Sequence, residues 1–406
     1  MDLLSGTLYW PTTYPNPRTY PGLEEDISCD VLIVGGGSSG AQCAHYFADT
    51  GLDVVLIDKG RFATGSTAAN TALIQYAGDK MFGPLINTFG EAKAAQHLKL
   101  CEEAIGEIET VCGTLPFSSD FLRRDSLYYA SSKEDVPTLQ EELTLLQKHG
   151  FKVDYWTGEQ VIQQYPIQTP GALYYHDDGE LNPIKFTLGL LESAHTRKVR
   201  LYEQTEWKGH KQEKDAVIFY TTNHHSIKAQ HVIFAGGYAN QSIKPDKNAV
   251  LTSSYNLVTK PVADFSSWPN RILIWETARP YIYLRTTPDH RIIIGGLDET
   301  TTIAEERDRH LHRKKDQLLT ELNRRFPNIQ VEAEFYLAAF YGGTHDGLPI
   351  LGIYDEFPRC TFLNAYGDNG LVYSMVLARI LRDMLTGVSS PSAELYLQKR
   401  LTPAEL

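Results

Sequence analysis

Asp30-Val31-Leu32-Ile33-Val34-Gly35-Gly36-Gly37-Ser38-Ser39-Gly40 is the stretch that decides the fold. A short apolar run, read as a buried strand, ends in a G-x-G-x-x-G string. Residues 39–50 continue with helical character as far as Gly51, which stands where a residue just past a helix end is expected. A second apolar run at 53–57 closes a β-α-β unit of about 30 residues, long enough for a parallel crossover. Asp58 follows it, 23 positions after Gly35. Each part has a physical reason. Gly35 permits a tight turn, Gly37 lets the backbone approach a pyrophosphate, and Gly40 allows the helix to pack closely on the strand. Ser38 and Ser39 open the helix, whose free N–H groups and partial positive charge attract phosphate. Asp58 is placed to accept hydrogen bonds from a ribose diol and would repel a 2′-phosphate. The unit is a dinucleotide site, for NAD or FAD rather than NADP.

The whole chain has 406 residues, more than one core usually supports, so two or three domains are expected. Apolar residues make up 42% and charged residues 22%, as in a folded soluble protein. Thirty-eight basic against 50 acidic side chains give a net charge of −12. That balance argues against nucleic acid or an anionic membrane as the main partner. No run reaches the roughly 18 apolar residues of a membrane span. The N-terminus, with Pro11, Pro15, Pro17 and Pro21, lacks the blocks of a signal peptide. Five cysteines without a C-x-x-C pair are read as buried thiols in a reducing, cytoplasmic setting. No metal site is expected, since His310 and His312 lie two apart on a helix and point to different sides. Tyrosine is abundant, with 23 copies.

Outward from the β-α-β unit, residues 1–27 show no periodicity and are expected to form an extended surface arm. Residues 91–111, 138–149, 307–326 and 371–385 have helical spacing. Strands are expected at 126–130, 172–176, within 199–222 and at 230–234. Others are expected at 281–285 and 291–294, which form a hairpin turning at His290, and at 361–365.

The segment after the second strand is Ala63-Thr64-Gly65-Ser66-Thr67-Ala68-Ala69-Asn70-Thr71-Ala72-Leu73-Ile74-Gln75-Tyr76. It is small and hydroxyl-rich, then apolar, as suits a loop wrapping a pyrophosphate and running along a flat ring. Here the sequence resembles the amino-acid-oxidase-like family of FAD-dependent oxidoreductases, which contains glycine oxidase, D-amino acid oxidase and sarcosine oxidase. Three further stretches carry the resemblance. They are Ala235-Gly236-Gly237 after a strand, the hairpin Tyr281-Ile282-Tyr283-Leu284-Arg285 with Gly295-Gly296-Leu297-Asp298-Glu299, and Thr344-His345-Asp346-Gly347-Leu348-Pro349 with Asn369-Gly370. The match runs from about residue 5 to 390.

The resemblance implies a Rossmann-like FAD-binding domain with a parallel sheet, interleaved with a substrate domain on a mixed, largely antiparallel sheet. In class terms this is α/β plus α+β. The expected boundaries are 1–27 for the arm, 28–78, 185–243 and 336–390 for the FAD-binding domain, 79–184 and 244–335 for the substrate domain, and 391–406 for a tail. FAD would be held by Gly35, Gly37, Ser38, Ser39, Gly40, Asp58, Lys59, Ser66, Thr67, Thr71, Ala72, Leu73, Ala235, Gly236, Gly342, Gly343, Asn369, Gly370 and Leu371. The last helix would point its N-terminus at the flavin. Such an end stabilises negative charge, which favours hydride acceptance. In the relatives that link FAD covalently, the cysteine position falls here on Ala339 and the histidine position near Ala69. Dissociable, non-covalent FAD is therefore expected.

The substrate side departs from the family's amino acid oxidases. The position of their carboxylate-binding arginine reads Tyr341, a nearby tryptophan reads Leu337, and a second arginine reads Asp368. A tyrosine that assists carboxylate binding is kept as Tyr281. Arg285 or Lys260 could take the acid-binding role, or Asp298 and Asp368 could prefer a cationic amine. A lysine used for oxygen activation in sarcosine-oxidase relatives aligns with Ile293. Candidate catalytic residues are Tyr281, Tyr341 and His345, and Gln75, Tyr283, Arg285, Asp298 and Asp368 are candidates for the pocket. The expected reaction is oxidation of a C–N bond of a small amine or amino acid derivative by hydride transfer to flavin N5, followed by imine hydrolysis. Oxygen or an electron carrier would be the acceptor. An NAD-dependent dehydrogenase remains an alternative, as does a flavoprotein whose FAD is structural or which needs a partner subunit for electron transfer. The oligomeric state stays open.

Overall fold

The computed structural model describes residues 2–78 and 80–400. Its strands form an eight-stranded and a ten-stranded sheet. The first is ordered Ile350–Gly352, Cys360–Asn364, Ser226–Phe234, Ile27–Val34, Val54–Ile57 and Arg200–Tyr202, with Trp207–Gln212 and Val217–Thr221 added beside Ser226–Phe234. From Cys360–Asn364 to Arg200–Tyr202 neighbouring strands are parallel. The run Val31-Leu32-Ile33 explains why no alternation is visible in the sequence. Val31 and Ile33 enter one core, together with residues of the helices Ser38–Phe47 and Gly370–Thr386. Leu32 enters another, beneath the pair Trp207–Gln212 and Val217–Thr221. A strand covered on both faces needs apolar residues at every position.

Gly40 decides how closely the first helix approaches. A Cβ there would stand 1.8 Å from the Gly35 carbonyl oxygen. The expected helices are present as Glu91–Cys112, Val136–Lys148, Ala304–Arg325 and Gly370–Thr386. The last ends at Gly387, whose φ of 75° is left-handed. Four of the five cysteines are buried and Cys112 is half-buried.

The ten-stranded sheet runs Leu4–Gly6, Ala333–Thr344, Ala249–Thr259, Ile292–Glu299, Ile282–Thr286, Leu273–Glu276, Leu122–Tyr129, Gly171–Glu180 and Leu73–Ile74, with Val153–Thr157 branching from Gly171–Glu180. Its pairs are antiparallel except that between Leu273–Glu276 and Leu122–Tyr129. The hairpin about His290 is formed as expected.

Three features differ from the sequence reading. The N-terminal arm is part of the body, since Leu4–Gly6 extends the sheet and Tyr9 and Trp10 are buried. Ala249–Thr259 and Ala333–Thr344 are long central strands that periodicity did not mark. Ala333–Thr344 also lies in the antiparallel sheet, so the chain changes sheet after Thr344 rather than at residue 336. Of the tail, residues 401–406 lie outside the described residues.

Gly40→Ala is expected to destabilise the protein by about 2 kcal/mol or more, because backbone rather than a pliable side chain must move. Denaturant unfolding checks this, and an unchanged midpoint would show that the helix can shift freely.

Candidate active site

One cavity of about 590 Å³ runs from the glycine turn to the face of the antiparallel sheet. At the glycine end, Gly35 has φ of 116° and a Cβ on it would lie 2.7 Å from the Ala235 carbonyl. The turn is thus pressed against the adjacent strand end, and Gly35, Ala235 and Gly236 all line the cavity. Asp58 Oδ2 accepts the Gly36 N–H at 2.7 Å and Oδ1 accepts the Gly60 N–H at 2.8 Å. Burial pushes its carboxyl up, opposed by those two N–H groups. Gly37 is the cap position of the helix Ser38–Phe47 and has no side chain of its own to bond that end. Thr67 Oγ1 accepts the Ser38 N–H at 3.0 Å and would meet a Gly37 Cβ at 3.2 Å.

A second helix end opens beside the first. Gly370–Thr386 also starts without a side-chain cap, since Asn369 donates its Nδ2 hydrogen to the Ala77 carbonyl instead. Ser39 Oγ and Ser374 Oγ stand 2.8 Å apart and tie the two helices together. Ser38, Ser39, Asn369 and Gly370 line the cavity, while Leu371 belongs to the core.

The segment between the second strand and Gln75 forms a long wall. Ser66, Thr67, Thr71, Leu73 and Gln75 line the cavity. Its backbone is held by the side chain of Arg285, which is 1% exposed. Nη1 donates to the carbonyls of Thr71, Ala72 and Leu181, and Nε donates to that of Thr286. Glu180 lies 3.4 Å away, and Trp10 covers the guanidinium. Arg285 therefore shares a strand face with Tyr283 but does not line the cavity. It positions the wall rather than touching a ligand. Lys260 is paired with exposed Glu332 and is not a lining residue either.

At the far end the hairpin makes the site. Tyr283 pairs with Gly295, and a Cβ on Gly295 would collide with its hydroxyl at 2.2 Å. Gly296 and Leu297 have φ of 124° and 56°, and the facing strand shifts register between Ser253 and Tyr255. This irregularity puts Ser254 and Asp298 on the cavity wall beside Tyr281 and Tyr283. Burial pushes the Asp298 carboxyl up to about 6; Ser254 pulls it down, Asp368 adds to the rise, and the charges of Lys314 and Arg279, neither of them a lining residue, lower it. Tyr341 donates its hydroxyl to Asp368 Oδ1, and both residues line the cavity.

His345 is not brought to the cavity. Its N–H goes to the Asn248 carbonyl and its own carbonyl accepts Lys80 Nζ at 3.0 Å. Gly342 and Gly343 stand behind the lining, where the absence of a Cβ on Gly342 leaves room for the Tyr238 ring. Ala72 and Gly40 are likewise structural neighbours rather than lining residues. Ile293 is buried with Tyr9 and Trp10. The sequence reading did not mark Leu3, Trp275, Tyr238, Ser254 and Asn256, which also line the cavity. The visible signal for the last two was a polar stretch inside an otherwise strand-forming run.

The residues present suit a dinucleotide with a flat ring. Two helix starts whose cap residues make no side-chain bond to them, and a glycine turn, offer N–H groups to phosphates. Among the described residues, buried Gln75 Nε2, Trp275 Nε1 and Asp298 Oδ1 have no protein hydrogen-bond partner. Cavity-lining Ala69 and Ala339 offer no nucleophile for a covalent link.

A parallel nucleotide sheet joined to an antiparallel sheet across such a cavity defines a flavoprotein oxidoreductase. The chain belongs to the DAO family of FAD dependent oxidoreductases, whose pattern matches residues 30–384. Membership makes the cofactor FAD, not NAD. The chain is 24% identical over 408 residues to "Putative Rieske 2Fe-2S iron-sulfur protein YhfW" of Bacillus subtilis (strain 168), covering 97% of this chain and 75% of that one. It is 21% identical over 389 residues to gamma-glutamylputrescine oxidoreductase of Escherichia coli (strain K12), covering 90% and 85%. The structure of glycine oxidase from Geobacillus kaustophilus shares the fold, with a TM-score of 0.74, 18% identity and coverage of 90% and 96%. No helix among the described residues is long and apolar enough to cross a membrane.

Gly37→Val is expected to abolish FAD binding, read as flavin absorbance on the purified protein. Normal flavin content would place the pyrophosphate elsewhere. Acid precipitation of the holoenzyme is expected to leave all flavin in the supernatant, and yellow precipitated protein would show a covalent link.

Proposed function

We propose that the chain oxidises a C–N bond of a small amine or amine derivative to an imine, which hydrolyses after release. The observation that carries this reading is the continuity of one cavity from the nucleotide turn to a far end walled by Tyr281, Tyr283, Trp275 and Asp298. Relatives named for glycine and for gamma-glutamylputrescine support the substrate class. FAD, when bound, supplies the acceptor for the hydrogen and two electrons that leave the substrate carbon.

The protein's own work is binding, orientation and proton handling. The aromatic walls exclude water and hold the substrate C–H in one direction, a proximity effect. Hydride loss requires a neutral amine, so a neighbouring group must take the nitrogen's proton. Asp298 Oδ1 is a buried acceptor on the wall without a hydrogen-bond partner among the described residues. Its carboxyl, raised to about 6, stays largely ionised at neutral pH and can serve as that base.

Anaerobic addition of primary and secondary amines to the holoenzyme is expected to bleach the flavin absorbance. If no amine or amino acid bleaches it, the amine-oxidation reading falls. Repeating productive reactions in air and with an artificial electron acceptor then separates oxidase from dehydrogenase.

A further inference from the structure

We propose that the far end of the cavity selects an organic cation, an amine whose ammonium docks against Asp298 and Asp368 and which carries no free carboxylate beside it. This narrows the amine reading above and rests on it.

Charge on the lining is the first argument. The charged lining residues among those described are Asp58, Lys59, Glu206, Asp298 and Asp368. The single cation adjoins Asp58 at the nucleotide end, which leaves the far end with two carboxylates and no lining cation. Unfilled hydrogen-bonding capacity is the second. Asp298 Oδ1 is buried without a partner, as is Nε1 of Trp275, a cavity-lining residue only 5% exposed. A buried polar group left unpaired is costly, so the site is completed by a ligand or by water. An ammonium supplies the N–H donors that Asp298 lacks. The walls are the third argument. Tyr281, Tyr283, Tyr341 and Trp275 present aromatic surface, whose faces attract cations.

The cations that could hold a carboxylate are occupied elsewhere. Arg285 is spent on backbone carbonyls and Lys260 on Glu332. Arg279 is the nearest rival. Its guanidinium lies 5.0 Å from the Tyr281 ring centre, and its Nη1 donates to the carbonyls of Glu276, Thr277 and Ala278. It lies outside the lining.

The test uses two probes of nearly equal shape on the holoenzyme. tert-Butylammonium has no hydrogen on the carbon bearing nitrogen, so it binds without being oxidised, and pivalate is its anionic counterpart. Each is titrated while the flavin absorption spectrum is followed. tert-Butylammonium is expected to bind at least tenfold more tightly than pivalate. Asp298→Asn is expected to weaken tert-butylammonium at least tenfold and leave pivalate unchanged. Asp368→Asn is expected to act in the same direction. Equal or tighter binding of pivalate overturns the proposal, and its loss in Arg279→Gln would identify the group that seats it. The comparison on the unaltered enzyme does not depend on how the variants fold. Because these probes are never oxidised, the result is separate from the bleaching test. Cation selectivity without bleaching would sink the amine-oxidation reading alone, and bleaching with pivalate preferred would sink only this one.

Discussion

A missing carbon atom at residue 40 sets the geometry of the nucleotide end. Only glycine lets the first helix sit so close to the Gly35 carbonyl. That approach fixes where the helix's free N–H groups emerge, and Gly35 and Gly37 leave the space before them open. The second helix is placed by the first through Ser39 and Ser374. Two helix starts therefore lie side by side on one cavity, and their dipoles add there. Asp58 belongs to the same arrangement. Its two oxygens hold Gly36 and Gly60, so it shapes the turn before any ribose arrives.

Arg285 has the corresponding role on the other sheet. A guanidinium that is 1% exposed survives burial only if its donors are used and a counter-charge is near. Four backbone carbonyls and Glu180 meet both needs. The cost of burying that charge fixes the short link 70–72 between the helix Ser66–Ala69 and the strand Leu73–Ile74. Thr71 and Ala72 cannot drift without stranding the cation, so this part of the wall is tied to the strand that carries Arg285. Trp10 closes the group from above and donates its indole N–H to Asn70 at 2.7 Å. The N-terminal arm is thereby built into the wall of the cavity.

The nucleotide end was legible because its information lies in backbone freedom. Glycines at 35, 37 and 40 announce a turn, an open approach and a close packing in consecutive residues. The far end is different in kind. Its lining comes from strands widely separated in the chain, and each contributes one or two side chains. Ala249–Thr259 went unread as a strand because Ser254 and Asn256 face the cavity, so a polar pattern stands where a core-facing one would mark a strand. Ala333–Thr344 is rich in Ala and Gly for a related reason, with Ala339 lining the cavity and Gly342 leaving room for Tyr238. Arg285 shows the limit of alternation. Period two placed it on the same face as Tyr281 and Tyr283, but the face passes from the cavity into the interior along its length. His345 shows another limit, since proximity in sequence to Thr344 and Asp346 says nothing of which way a loop residue turns.

The pairing of Tyr341 with Asp368 gives the far end its chemical character. Both stand where the resemblance to amino acid oxidases leads one to expect arginine. A single change from arginine would remove a carboxylate clamp and leave a neutral pocket. Two changes, one of them to aspartate, reverse the sign of the field at that wall. Asp368 is half-buried, and its Oδ1 accepts the Tyr341 hydroxyl. That hydrogen bond holds the Asp368 side chain without cancelling its charge, as an arginine would. Asp298, with one oxygen unpartnered, adds a second negative site on the same surface. An anionic substrate would then enter against two like charges in a region of low dielectric, where repulsion is weakly screened. An ammonium would be attracted by the same two carboxylates. Tyrosine and aspartate at those two positions, beside the tyrosine wall, would then bear on which charge the cavity admits, while the turn, the helices and the long wall lie apart from them.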